Sequence, residues 1–313
     1  MPRSLGGRVR RGLVLLAVSA GVLALPSVAT AAPAGGSTRH DMLTLRQVNA
    51  TGSPAQAQAA AAPATGNNGI KYHGGPVILG TTHVYVIWYG NWPSSSTTPA
   101  IITTLLNNIG GSPYFNINTT YFNATRTRVT NSVALLGSIN DSYSQGNVLT
   151  DAGVKTVVAS AITANKLPSD ANGLYFVLTS SDVAEPSGFL TQYCGWHDHG
   201  SIGGKDIKYS FVGDASLDPS ACMAQSPQSP NGNAAADGMA SVIAHELEET
   251  TTDPDLNAWY DGQGMENADK CAWTFGKLYT ANGAKANMKF GGHDYLIQRN
   301  WVNASGGFCA LRF

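Results

Sequence analysis

Apolar residues along the chain gather into short dense blocks and longer periodic runs. Residues 83–89 (HVYVIWY), 173–180 (GLYFVLTS) and 208–212 (KYSFV) are dense in β-branched and aromatic residues and read as strands. Residues 121–139 predict one or two more strands, and 295–298 another near the end. Residues 99–110 (PAIITTLLNNIG) predict a short helix with Pro in its first turn and Gly at its end. Residues 151–166 predict a longer one, acidic at its start and basic at its end. The strongest helical pattern is 237–252, where Met239, Val242, Ile243 and Leu247 recur on one face. Asp237 is suited to cap it, and Pro254 excludes continuation much beyond Thr252. Strands and helices together predict a single α+β domain built on a mixed sheet.

The polar residues of that last helix conflict with its own preferences. Glu246, Glu248 and Glu249 put three carboxylates in its C-terminal half, where the dipole disfavours negative charge. Thr250, Thr251 and Thr252 are weak helix formers. His245 and Glu249 lie one turn apart and share a face. Local rules broken together mark a site or a compensating cation, and a divalent metal would supply one. A solvated acidic face with a satisfied histidine is the bland alternative, since short motifs recur by accident.

Not all of the chain belongs to the folded part. Arg3, Arg8, Arg10 and Arg11 precede an apolar run over 12–25, and Ala29-Thr30-Ala31 offers a small-residue cleavage site. Residues 1–31 therefore read as a secretory signal peptide, the run being short for a membrane span. Residues 32–68, rich in Ala, Gly, Pro, Ser and Gln, read as a leader or linker with little to bury. The folded domain is expected over 69–313, which is long enough for a well-buried core. The net charge of −1, with 12% charged residues, leaves no basic field for nucleic acid or acidic lipid. No stable membrane insertion is expected once the signal is removed.

The four cysteines, Cys194, Cys222, Cys271 and Cys309, form an even set behind a signal peptide and imply two disulfides. Three pairings are open, with sequential pairing the expectation. In 193–200 (YCGWHDHG), His197 and His199 would share a face if extended, and could hold metal or substrate. His73, beside Gly74 and Gly75, suits a turn. Trp88, Trp92, Trp196, Trp259 and Trp273 could stack on sugar rings, although core aromatics are the commoner use of such residues. A hydrolase elbow, a phosphate-binding loop and a dinucleotide fingerprint are all absent from the sequence.

In zincins, H-E-x-x-H on a helix gives two imidazoles to zinc while its Glu activates water. Here His245-Glu246-Leu247-Glu248-Glu249 replaces the second histidine with Glu249. The zincin-like expectation is Glu246 as general base, His245, Glu249 and Glu266 as ligands, and Asp269 behind them. Asp255 is a rival third ligand. An N-O-O donor set is weaker for zinc than N-N-O. Zinc is nonetheless expected over calcium. Calcium would suit a structural site of Glu249, Asp253, Asp255 and Glu266.

Several blocks stand in an order that resembles the phosphate-induced protein 1, or exordium-like, family. They are YHGGPV (72–77), VYVIWYGNW (84–92), CGWH (194–197), DGMASVIAHELEE (237–249), DPDLNAWY (253–260), ENADKC (266–271) and the closing Phe308-Cys309. The resemblance implies a secreted or cell-wall-associated protein without an established enzymatic activity. Peptides or cell-wall polysaccharides are its expected partners.

Overall fold

Density of β-branched and aromatic residues decides the centre of the fold. In a computed structural model describing residues 39–51 and 69–313, every residue of the 173–179 strand is buried. In chain order the elements are β1 (His40–Leu43), α1 (Leu45–Thr51), β2 (Lys71–Tyr72), β3 (Thr82–Tyr89), α2 (Thr98–Asn108), β4 (Val133–Asp141) and α3 (Asp151–Thr163). They continue with β5 (Gly173–Thr179), β6 (Tyr193–Ile202), β7 (Lys205–Gly213), α4 (Pro219–Cys222), α5 (Ala234–Thr252) and β8 (Trp259–Tyr260). Six three-residue strands follow: β9 (Tyr279–Ala281), β10 (Ala284–Ala286), β11 (Met288–Phe290), β12 (His293–Tyr295), β13 (Asn300–Val302) and β14 (Phe308–Ala310).

The main sheet has the order β1-β6-β7-β5-β3-β4. β4, β3, β5 and β7 run parallel, and β6 and β1 complete the edge antiparallel. The chain moves outward from β3 to β4 through α2, then back across β3 to β5 through α3. Right-handed crossovers therefore put α2 and α3 on opposite faces. Two glycines of β6 mark the two faces. A Cβ on Gly195 would strike Val242 of α5, and one on Gly200 would strike Lys155 of α3. The fold is thus a single-domain mixed α/β arrangement on a mixed sheet. Its helices alternate with parallel strands instead of segregating as in the expected α+β class.

Cys194 pairs with Cys222, tying β6 to α4, and Cys271 pairs with Cys309, tying the Asp269–Cys271 turn to β14. This is the sequential pairing. The helix expected over 237–252 ends where Pro254 requires, but it starts earlier. Asn233, not Asp237, is the N-cap, accepting from the Ala236 amide. Asp237 lies in the first turn and accepts from Asn231 and Ser229. Residues 121–139 yield one strand displaced toward its C-terminal end, β4, because 115–120 form a 3-10 turn and only an isolated bridge joins Phe122 to Arg128. The strand expected at 295–298 is replaced by β12 and β13 on either side of residues 296–299, which belong to neither.

The expected signal peptide, residues 1–31, lies outside the described residues, as do 32–38 and 52–68 of the expected leader. The remainder of that leader is not a spacer. β1 completes the sheet against β6, with His40 opposite His197 and Met42 opposite Gly195. Met42 is fully buried. The Leu43 carbonyl accepts from the Trp273 indole, and Arg39 lies over the rings of Tyr193 and Trp196. No helix among the described residues is long and apolar enough to cross a membrane.

Candidate metal centre

α5 is buried along almost its whole length, with the sheet on one side and α2, the 115–120 turn and the C-terminal ladders on the other. The hydroxyls of the threonine run are satisfied there because each bonds back into the helix. Thr250 donates to the Glu246 carbonyl at 2.7 Å, Thr251 to Leu247 at 2.7 Å and Thr252 to Glu248 at 3.3 Å. The three glutamates point to different neighbours. Glu246 faces β6, and Glu248 accepts from Asn300. Glu249 faces the turn carrying Asp269.

Around Glu249 three histidines from three elements converge. His245, on α5 itself, has Nε2 at 3.0 Å from Glu249 Oε1 and 3.4 Å from Asp269 Oδ1. His197, from β6, has Nδ1 at 3.2 Å from Glu246 Oε2 and 3.7 Å from Glu249 Oε2, with Nε2 at 3.6 Å from Glu266 Oε2. His40, from β1, has Nδ1 at 3.6 Å from Glu249 Oε2 and Nε2 at 3.3 Å from Asp269 Oδ2. His40 Nε2 also lies 2.9 Å from the Gly264 carbonyl. That oxygen can only accept, so Nε2 carries a proton, and in the neutral ring Nδ1 keeps its lone pair. The side chains of His197, His245, Glu246 and Glu249 are fully buried, whereas His40 is 22% exposed.

Most of these close approaches lack hydrogen-bond geometry. His40 Nδ1, His197 Nε2, both nitrogens of His245, Glu246 Oε1, Glu249 Oε2, Asp253 Oδ2 and Glu266 Oε2 are buried without a hydrogen-bond partner. Asp253 Oδ1, by contrast, caps the following turn through the Asn257 and Ala258 amides, each at 2.6 Å. Orphaned buried polar atoms are costly, and so many in one place call for a compensating group such as an ion or ordered water. Two sets of ligand atoms lie within 4.8 Å of one another: His40, Glu249 and Asp269, and His197, Glu249 and Glu266.

The electrostatics show the same demand. Burial would lower the pKa of His245, but Glu249 and then Asp269 outweigh it and push it up to about 10. Burial likewise opposes charge on His40, yet Glu266 and Asp269 raise it well above the ordinary histidine value. His197 is held down at about 3, chiefly by burial. Burial would also raise Glu249, but His245 and His40 hold it below the usual carboxylate range. Glu246 and Glu266 are pushed well up, first by burial. With protons as its only cations, the cluster needs two imidazolium ions and neutral carboxyls in one buried space.

The structure brings together Glu249, Glu266, His245, Glu246 and Asp269 as sequence spacing suggested, but partners them differently. Glu266 meets His197, and His245 meets Asp269. Asp253 borders the cluster. Asp255 and His199 form a separate, half-exposed group with Asp206, in which Lys208 Nζ already sits 2.8 Å from Asp206 and 3.1 Å from Asp255. His73 stacks on Tyr260 with centroids 3.7 Å apart, in the β2–β8 ladder. Sequence reasoning missed His40, because HDML carries no periodicity and sits in an Ala-rich stretch. Of the five tryptophans weighed for sugar stacking, Trp88, Trp196, Trp259 and Trp273 are buried core residues, and Trp92 is half-buried.

A family model described as the phosphate-induced protein 1 conserved region matches residues 70–289. The chain is 35% identical over 272 residues to Protein EXORDIUM-like 3 of Arabidopsis thaliana, covering 74% of this chain and 80% of that one. It is 32% identical over 274 residues to Protein EXORDIUM-like 5 of the same plant, covering 74% and 75%. To Protein PHOSPHATE-INDUCED 1 of Nicotiana tabacum it is 26% identical over 242 residues, covering 67% and 74%. No solved structure matches the chain. His197, His245, Glu246, Glu249, Glu266 and Asp269 lie within the matched region, and His40 lies before it.

Proposed function

The chain belongs to the phosphate-induced protein 1 family, and from that premise we propose that it is an exported metalloprotein whose buried histidine–carboxylate cluster holds a divalent metal, zinc in preference to calcium. One observation carries this reading: His197 Nε2, Glu249 Oε2 and Glu266 Oε2 are buried without hydrogen-bond partners, and the three residues offer ligand atoms within 4.8 Å of one another. Donors on one tetrahedral zinc, at about 2.0–2.2 Å from it, lie roughly 3.3–3.6 Å from each other. Here His197 Nε2 lies 3.6 Å from Glu266 Oε2, and His245 Nε2 lies 3.0 Å from Glu249 Oε1. Imidazole nitrogens among the donors favour zinc over calcium.

The arrangement suits a holding role better than hydrolysis. Zinc sites that turn over substrate keep an open position, and structural ones are closed. Here β1 covers the cluster, and the ligand side chains behind it are buried. Glu246, the base of the zincin-like reading, has Oε2 engaged with His197 Nδ1 at 3.2 Å. A carboxylate behind a ligating imidazole fixes the ring and raises its basicity. Hydrolysis is the second reading, favoured by the unpartnered Oε1 of Glu246.

Metal content and peptidase activity of Glu246→Gln separate the two. The holding role predicts no peptidase activity in either protein and weaker metal retention in the variant. A metal-dependent activity lost in a variant that keeps its full metal would establish hydrolysis instead. A folded, chelator-free protein with no divalent metal would overturn both.

An extracellular ligand would then bind elsewhere. A cleft of about 400 Å³ lined by Trp88, Trp92, Ser94, Ser138 and Asn140 opens beside the C-terminal ends of β3 and β4. Its half-buried indole, hydroxyls and amide suit a cell-wall saccharide. A peptide would be the alternative ligand.

A further inference from the structure

We propose that the cluster holds two divalent metal ions bridged by Glu249, the second bound by His40, His245 and Asp269. This deepens the metalloprotein reading and rests on it. Two sets of donors are present, and they share one residue. His197 and Glu266 face Glu249 from β6 and the 266–271 segment. His40 and Asp269 face it from β1 and the adjoining turn.

The carboxylate of Glu249 has two oxygens: Oε1 accepts from the Asp269 amide and faces His245, and Oε2 faces both His40 and His197. Oε1 lies 3.0 Å from His245 Nε2, while Oε2 lies 3.6 Å from His40 Nδ1 and 3.7 Å from His197 Nδ1. Oε2 has no hydrogen-bond partner, nor does either nitrogen of His245, nor His40 Nδ1. One tetrahedral ion has four positions. Three imidazoles, Glu249, Glu266 and Asp269 are more donors than it can take, and the surplus would be buried unpaired. Two ions sharing a carboxylate use them all, as in two-metal sites generally.

Charge agrees. Glu246, Glu249, Glu266 and Asp269 are four buried carboxylates, which two divalent cations neutralise when the imidazoles are neutral. Glu248 stands outside the set, bonded to Asn300 on the far side of α5. Asp253 also stands aside, with one oxygen committed to backbone amides.

His40 makes the second position separable from the first. It enters on β1, outside the 70–289 region that the family model matches. The Gly264 carbonyl holds its ring with Nδ1 turned inward.

The test is metal stoichiometry of the full exported chain, purified without chelator and equilibrated with zinc, then dialysed. The wild type is expected to keep two equivalents, and His40→Ala and the milder His40→Asn one. Glu249→Ala is expected to keep none. Near-ultraviolet circular dichroism and absence of free thiols certify folding. One equivalent in the wild type would overturn the second ion and leave the single-metal reading standing, and two in both folded His40 variants would overturn His40 as a ligand of the second ion. Zero in the wild type would overturn both. Replacement by cobalt(II) adds a readout of the bridge. Magnetic coupling between the ions is expected in the wild type and lost in His40→Ala, whereas two uncoupled ions would refute bridging by Glu249.

Discussion

At Gly195 β6 packs directly against α5, and Gly195→Ala tests whether that approach positions the site. A Cβ there would lie 2.6 Å from Val242 Cγ1, 2.9 Å from the Phe211 carbonyl oxygen and 3.1 Å from Glu246 Oε1. Val242 is 2% exposed and the Phe211 oxygen is backbone, so neither can swing away cheaply. Overpacking of this kind costs about 1–3 kcal/mol. For a domain of this size each kcal/mol lowers Tm by about 2–4 °C, so a fall of about 4–8 °C is expected for a cost of about 2 kcal/mol. The strain falls on the pair that sets His197 against Glu246, so zinc retention is expected to weaken as well. Gly262→Ala is the control, since a Cβ there meets nothing and no positive φ is involved. That change is expected to stay within about 0.5 kcal/mol. Thermal and urea unfolding with metal analysis measure both. A Gly195→Ala protein within about 1 °C of wild type and with unchanged zinc would refute the close-packing argument.

Other outcomes follow from the same structure. Cys271→Ser with Cys309→Ser opens a loop of 38 residues and is expected to cost about 4 kcal/mol by the chain-entropy relation; an unchanged urea midpoint would refute it. Arg46→Ala removes an exposed pair with Asp218 and is expected to cost less than about 1 kcal/mol. Asp206 would be raised by burial, but Lys208 and His199 outweigh this and hold it at about 2, below its ordinary 3.8. Its contribution is therefore present above about pH 4 and lost as pH falls toward 2. Lys208→Met is accordingly expected to narrow its stability deficit across that window, and a deficit independent of pH there would contradict the assignment. Trp92→Ala is expected to reduce binding to cell-wall polysaccharide without changing metal content. Equal retention by both proteins on a polysaccharide column would remove the saccharide cleft.

Much of the fold was legible where the signal was local. β3 and β5 are dense apolar blocks. The end of α5 is dictated by Pro254, and the two disulfides follow the order of the cysteines. The start of α5 was misplaced because Asn233 and Asp237 are both acceptable caps. The choice fell to tertiary contacts, in which Ser229 and Asn231 claim the Asp237 carboxylate. β4 was misplaced because its residues show a mixed pattern on an edge strand, without the dense run of a central one. The site was legible through α5 and, less directly, through Glu266, Asp269 and His197. The carboxylates of α5 broke helix rules conspicuously, whereas the partners that explain them come from β6 and β1 by long-range pairing. His197 was readable as a candidate but not as the partner of Glu246 and Glu266. His40 lies on four residues whose strand exists only because β6 offers an edge.

The central claim is that the cluster around Glu249 holds metal, and anomalous diffraction at the zinc edge from crystals of the purified, chelator-free protein tests it most directly. The account predicts anomalous density within bonding distance of Glu249, with His197 and Glu266 as neighbours and no sulfur ligand. Crystals equilibrated with zinc that show intact Cys194–Cys222 and Cys271–Cys309 bridges, the same convergence of side chains and no anomalous density there would contradict it.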